Sequence, residues 1–249
     1  MIQRASGLNW LPALGILNIG LIIITLLSRT SLGWTPLQTF NIFFFATLFG
    51  LVLGIIGLIV LIVGVFKKKK PLLIAGNSTL LLGVLPLVAS ILVVGPSRIA
   101  LPLIHDISTD LVNPPEFTNA RLLRSADENS LNYGGESVAA QQRETYPDIQ
   151  PLLMGLTVNE ALIRATDTVK ALGWTITTAD RDGNIVKLEA YAKTRLFGFI
   201  DDIVIRISPN PDGSIIDIRS VSRVGEGDLG ANAERIRKFF NEFKKAGSY

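Results

Sequence analysis

Several residue clusters in the sequence are of types that do chemistry. Gly225-Glu226-Gly227-Asp228-Leu229-Gly230 fits G-x-G-x-x-G, the pattern that lays a pyrophosphate on a helix N-terminus. That chemistry needs a βαβ unit with a return strand and an acidic residue about 20 positions on, and neither follows here. Glu226 and Asp228 would also repel a pyrophosphate, so the string reads as a turn in which Asp228 caps the next helix. His105 is the single histidine, with Asp106 and Asp110 close behind. Zinc takes three or four ligands, mostly His or Cys, and calcium takes six or more oxygens. Asp106, Asp110, Asp201 and Asp202 would serve calcium only if the fold gathered them. The sequence therefore implies no metal and no cofactor. A Ser-His-Asp triad would have to recruit His105, and no nucleophile-elbow pattern is present. Asp201 and Asp202 are neighbours on a strand and point to opposite faces, so they form no dyad. No catalytic residue is assigned.

The densest polar pattern lies on strands. Strand-like runs cover 174–179, 185–194, 202–208 and 214–224, and their alternation sorts residues onto two faces. Val186, Leu188, Ala190, Ala192, Ile203, Ile205, Ile207, Ile216 and Ile218 share one face. Lys187, Glu189, Tyr191, Lys193, Asp202, Arg206, Asp217, Arg219 and Arg223 share the other. Cross-strand pairing of such charges contributes roughly 0.2–1 kcal/mol per pair. A face this rich in Arg also suits an anion or a partner's carboxylates. In that reading Arg206, Arg219 and Arg223 are the contact residues and Asp202, Asp217 and Asp228 orient them. Asp106 and Asp110 belong to the same candidate binding set.

The elements that position these residues are legible from residue 157 on. Thr157-Val158-Asn159-Glu160 is a capping box, followed by apolar residues at helical spacing and a stop at Gly173. Asp182-Gly183-Asn184 and Asn210-Pro211-Asp212-Gly213 are hairpin turn chemistry. A last helix over 229–246 presents Leu229, Ala233, Ile236, Phe240 and Phe243 on one face. The expectation is an α+β domain over 105–249, a four-stranded antiparallel sheet flanked by two helices. Residues 105–151 show little periodicity and read as a wrap laid over the core. Pro114-Pro115 with Phe117, and Tyr146-Pro147 with Ile149, are its anchors.

The first 105 residues are a different object. The chain has 249 residues and only 18% are charged, against about 25% in a typical soluble domain. No Asp or Glu precedes Asp106, and seven basic residues stand before it. The other 17 of the 24 basic residues face all 21 acids, so the +3 net charge averages two unlike halves and points to no nucleic acid. Apolar stretches over about 8–27, 40–66 and 72–94 are each long enough to cross a bilayer as a helix. They define an all-α transmembrane bundle over 1–95, joined by a linker over 96–104. Lys67-Lys68-Lys69-Lys70-Pro71 is a tight turn whose charge belongs on the cytoplasmic side. Three crossings then put the N-terminus in the cytoplasm and the α+β domain outside it. Gly50 and Gly54, followed by Gly57 and Gly64, are expected to pack within the bundle. Asn18, Asn41 and Asn77 are expected to bond between helices. No ionisable group lies mid-membrane, which argues against a pump or a secondary transporter.

With these strings in view, the chain resembles the bacterial and plastid domain-of-unknown-function family 1499 over about residues 104–246. The resemblance rests on His105-Asp106-Ile107-Ser108-Thr109-Asp110 with Pro114-Pro115-x-Phe117, and on Tyr146-Pro147-Asp148-Ile149 with Pro151-Leu152. It continues through Gly198-Phe199-x-Asp201-Asp202 to Arg206, then Arg219-Ser220-x-Ser222-Arg223-x-Gly225, and Asp228-Leu229-Gly230-x-Asn232 with Arg235. Glu226 departs from it. The resemblance carries no reaction; it implies that the polar blocks form one cluster and that some members hang from membrane helices. The functional expectation is a membrane-anchored extracytoplasmic binding or assembly module of the cell envelope, in a bacterial inner membrane or a thylakoid. Its partners would be the lipid bilayer and other membrane or envelope proteins. The alternatives are an envelope-associated enzyme using Asp106, Asp110 or Asp201 beside an Arg-lined anion site, and a purely structural membrane subunit.

Overall fold

The computed structural model describes residues 8–29 and 31–245; Ala246, the expected end of the last helix, lies outside them. The chain divides into two compact units at Ile99/Ala100.

The first unit is helical. α1 (Trp10–Ser28), α2 (Pro36–Phe66) and α3 (Lys70–Val94) are long and apolar enough to cross a membrane. α2 begins four residues before its apolar stretch. Thr35 and Gln38 form a capping box and Pro36 occupies the first turn, where a missing N–H is harmless. The glycines decide how α2 and α3 meet. A Cβ on Gly57 would stand 2.4 Å from the Leu80 amide nitrogen, and one on Gly83 would stand 2.5 Å from the Gly50 carbonyl oxygen. Only hydrogen at those positions lets the backbones approach this closely, so the G-x-x-x-G string is used inside this bundle. Asn18 ties α1 to α2 by donating from Nδ2 to the Ala46 carbonyl at 2.9 Å. Asn41 and Asn77 make no such bond among the described residues. The unit closes with one helical turn, α4 (Pro96–Ile99).

The second unit is built on one antiparallel sheet. Its strands are β1 (Asp106–Ser108), β2 (Leu152–Met154), β3 (Thr175–Asp182), β4 (Ile185–Lys193), β5 (Ile200–Asn210) and β6 (Gly213–Ser222). The order is β1-β6-β5-β4-β3, with β2 also paired to β6. The sheet thus has six strands where the sequence pattern indicates four. β1 and β2 are three residues each, too short for alternation to register, and they add to β6 from within the irregular segment and just after it.

One face carries the main core. Ile203, Ile205, Ile207, Ile216 and Ile218 are buried there against α7 (Val158–Ala171) and α8 (Ala231–Lys245). α7 opens with the expected capping box: Thr157 Oγ1 accepts from the Glu160 amide, and the Glu160 carboxylate accepts from the Thr157 amide. Trp174 stacks on Phe239 of α8, with centroids 5.9 Å apart. α8 begins two residues later than its apolar spacing suggests. Leu229 has φ +53° and Gly230 φ +78°, left-handed values that interrupt a helix. Leu229 is therefore exposed and absent from the buried stripe, where Phe239 stands instead.

The opposite face is covered by a wrap running from Thr109 to Tyr133 that includes α5 (Ala120–Leu123), while α6 (Glu136–Thr145) runs beside β1 with Val138 against the main core. Phe117, Ala120 and Leu131 of this wrap pack on Val204 and Val221 of the sheet. Such a small apolar patch is supplemented by the charges around it.

Candidate functional site

The strand pairing brings the polar blocks together. β5 and β6 place Val204 opposite Arg219 and Arg206 opposite Asp217. β1 places Ser108 opposite Arg219 and Asp106 opposite Val221. Arg219 lies at the centre with 1% of its surface exposed. Its Nε and Nη2 donate to the two oxygens of Asp106 at 2.9 and 2.7 Å. Nη1 donates to the Pro115 carbonyl at 3.2 Å, and Nη2 also to the Leu131 carbonyl at 2.9 Å. The rings of Phe117 and Tyr133 stand 5.3 Å from the guanidinium carbon. The planar fork thus reads one carboxylate and two carbonyls of the wrap at once, a task that suits Arg and not Lys. The Tyr133 hydroxyl is buried without a hydrogen-bond partner. Burial, reinforced by the nearby Asp106 charge, pushes its pKa up to about 12.

Two flanking networks repeat the design. Asp202 accepts from Arg223 at 2.8 and 2.9 Å and from Arg124 of the wrap at 2.7 Å. Arg124 Nη2 donates to the Val221 carbonyl at 3.0 Å. Asp217 accepts from Arg206 at 2.7 Å and from the Thr109 hydroxyl at 3.2 Å. Arg206 also reaches Asp110 at 2.8 Å and the Asn113 carbonyl at 2.8 Å. Burial alone would raise the Asp110 pKa. The Asn113 and Val112 amides and the Arg206 guanidinium outweigh it and hold the carboxyl below its usual value. Glu189 of β4 accepts from the amides of Thr118, Asn119 and Ala120, capping α5.

Asp228 and Asp201 belong to a separate cluster on the helical face. The Asp228 carboxylate accepts from the Gly230 and Asn232 amides at 2.8 and 2.7 Å, fixing the turn into α8. Burial raises its pKa despite those bonds, and the charge of Asp201 adds to the rise. Asp201 pairs with Arg235, and Asn232 binds the His105 carbonyl and the Ser220 and Ser222 hydroxyls. The His105 ring faces the Glu226 carbonyl, Nδ1 to oxygen 3.1 Å.

Seven of the eight residues of the candidate binding set are thereby joined through the sheet and its wrap, while Asp228 lies on the other side of the sheet. Arg219 and Arg223 are buried beneath the wrap and Arg206 is mostly covered. Sequence reasoning missed Arg124 and Gln142, and it placed Glu189 on the polar face without its partners, which are backbone amides about 70 positions away. A usable signal existed in Val204 and Val221, two apolar residues at positions where an otherwise charged face should meet water. Among the described residues no three His, Asp or Glu side chains gather as metal ligands.

The model of the family described as "Protein of unknown function (DUF1499)" matches residues 106–243. The chain belongs to this family. No curated protein matches it. The DUF1499 match runs from the first residue of β1 to Phe243, a buried core residue of α8, so it takes in the wrap as well as the sheet.

Proposed function

We propose that this DUF1499 protein is a membrane-anchored binding or assembly module of the cell envelope, with its α+β domain on the extracytoplasmic side. The observation that carries the reading is the occupancy of the charged groups. Asp106, Asp110 and Asp201, the acids an enzyme would use, each already accept from a guanidinium. Paired carboxylates of this kind are poor proton carriers, because transferring the proton breaks the pair. The same pairs tie the wrap and α8 to the sheet, which suits a surface that presents contacts. The lysine turn between α2 and α3 supports the sidedness.

The test has two arms. Protease added to sealed cells with a permeabilised outer wall is expected to cleave within residues 105–245 and leave the apolar helices intact. Protection of the α+β domain under those conditions refutes the extracytoplasmic placement. In the second arm, the apolar helices are exchanged for an unrelated three-span anchor and copurifying proteins are compared. Partners retained on the exchanged chain support recognition by the α+β domain; their loss assigns recognition to the spans and the protein to a structural role.

A further inference from the structure

Three parts of the α+β unit converge at one end of the sheet. The Ser222 amide donates to the His105 carbonyl, the Arg223 amide to the Ile200 carbonyl, and the Asp228 amide to the Ile104 carbonyl. Residues 103–105, 222–228 and the β4–β5 loop over 194–199 therefore share that end. It is also the end at which the chain arrives from the apolar helices. Residues 95–105 span at most about 40 Å when fully drawn out.

The loop itself is Thr194-Arg195-Leu196-Phe197-Gly198-Phe199. It closes on itself: the Thr194 amide donates to the Phe199 carbonyl at 2.8 Å, the Gly198 amide to the Thr194 carbonyl at 2.9 Å, and the Phe199 amide to the Thr194 hydroxyl at 2.9 Å. Gly198, at φ +75°, permits the reversal. Leu196 projects with 43% of its surface exposed, and Leu103 beside the turn at Gly227 is 69% exposed. Phe197 and Phe199 pack together, with ring centroids 5.9 Å apart. Lys193 precedes the loop and Arg195 lies within it; both are exposed and unpaired with any carboxylate among the described residues, and the Lys193 ammonium stands 5.6 Å from the Tyr191 ring centre. The turns at the other end of the sheet are polar: Asp182-Gly183-Asn184 and Asn210-Pro211-Asp212-Gly213.

We infer that the 194–199 loop docks in the headgroup layer of the bilayer that holds the chain, with Leu196 inserted and Lys193 and Arg195 on anionic lipid phosphates. The inference rests on the membrane-anchored reading. Aliphatic and aromatic side chains flanked by basic ones suit this layer, because the apolar body enters the acyl boundary while the charges stay at phosphate level. A loop whose end backbone groups bond one another exposes fewer of them to a poorly hydrating medium.

The chain has no cysteine, so a single label can be placed at will on the full-length protein. Leu196→Cys reports the loop and Asn184→Cys reports the opposite end, each labelled with bimane in nanodiscs. In discs containing phosphatidylglycerol, the loop probe is expected to be shielded from acrylamide and quenched by brominated lipid, and the Asn184 probe to show the reverse. An attraction of about fivefold per basic residue near an anionic surface makes the docked-to-undocked ratio fall about twenty-fivefold in Lys193→Gln/Arg195→Gln. Equal acrylamide access at both probes overturns docking, and equal shielding in phosphatidylcholine discs overturns recognition of anionic headgroups. Extraction of the chain by alkaline carbonate marks the separate failure of the membrane-anchored reading.

Discussion

Replacing Arg219 by methionine removes the centre of the wrap's attachment while keeping an unbranched side chain in the space. Asp106 then stands buried beside no counter-charge, and the Pro115 and Leu131 carbonyls each lose a donor. Breaking a buried ion pair by removing one partner costs about 3–5 kcal/mol. If this loss falls on the local detachment of the wrap, the detached population rises by roughly two to three and a half powers of ten. Trypsin cleavage after exposed Arg121 of α5 reports that population, because proteolysis follows the open fraction when closing outpaces cleavage. Arg219→Met is therefore expected to be cut at Arg121 at least about a hundredfold faster. The double variant Asp106→Leu/Arg219→Met leaves no unpaired charge and is expected to recover most of that loss, since apolar replacement of a whole buried pair is often near neutral. Unchanged cleavage in the single variant would refute the reasoning, because Arg219 would then be dispensable for holding the wrap.

Gln142→Ala leaves the Ser108 amide and carbonyl unpaired, with an expected loss of about 1–3 kcal/mol read as faster hydrogen exchange at Ser108. Gly83→Val places carbon against the Gly50 carbonyl and the Gly54 backbone, so the full chain in detergent is expected to melt at lower temperature, whereas Gly20→Val, which meets no neighbour, leaves the melting point nearly unchanged. Asp110 has a lowered pKa in the fold, so its contribution is present above the unfolded carboxylate pKa and is lost as pH falls through the folded value. The melting-point difference between the wild type and Asp110→Asn should accordingly be largest near neutral pH and vanish in strong acid. Asp228 has the opposite sign: its raised pKa opposes folding at neutral pH, and that opposition fades as pH falls through the folded value and is gone below the unfolded carboxylate pKa.

What the sequence disclosed followed local periodicity. Thr157 and Glu160 announced α7, the isoleucines of β5 and β6 announced the buried face, and the hairpin turns fixed their order. The two added strands were not legible because Asp106–Ser108 and Leu152–Met154 acquire strand geometry only by pairing with β6. The site was half legible for the same reason. Alternation put Asp202, Arg206, Asp217 and Arg219 on one face, but it carried no information about what lies above that face. Arg124 and Gln142 sit in a segment without a period, and their partners Val221 and Ser108 are fixed by the tertiary fold. Leu229 misled in the other direction, since helical spacing gave no warning of two left-handed residues before α8.

The side-chain amide of Gln142 meets Ser108 as a neighbouring strand would, accepting from its N–H at 3.0 Å and donating to its C=O at 2.6 Å. Sealed in this way, β1 offers incoming chains no vacant hydrogen-bond ladder at Ser108. Wherever copies of one protein are held at high local density, such a seal guards against edge-to-edge polymerisation. The opposite rim, β3, carries an irregular register and the charged run Asp180-Arg181-Asp182, which discourage the same mishap by different means.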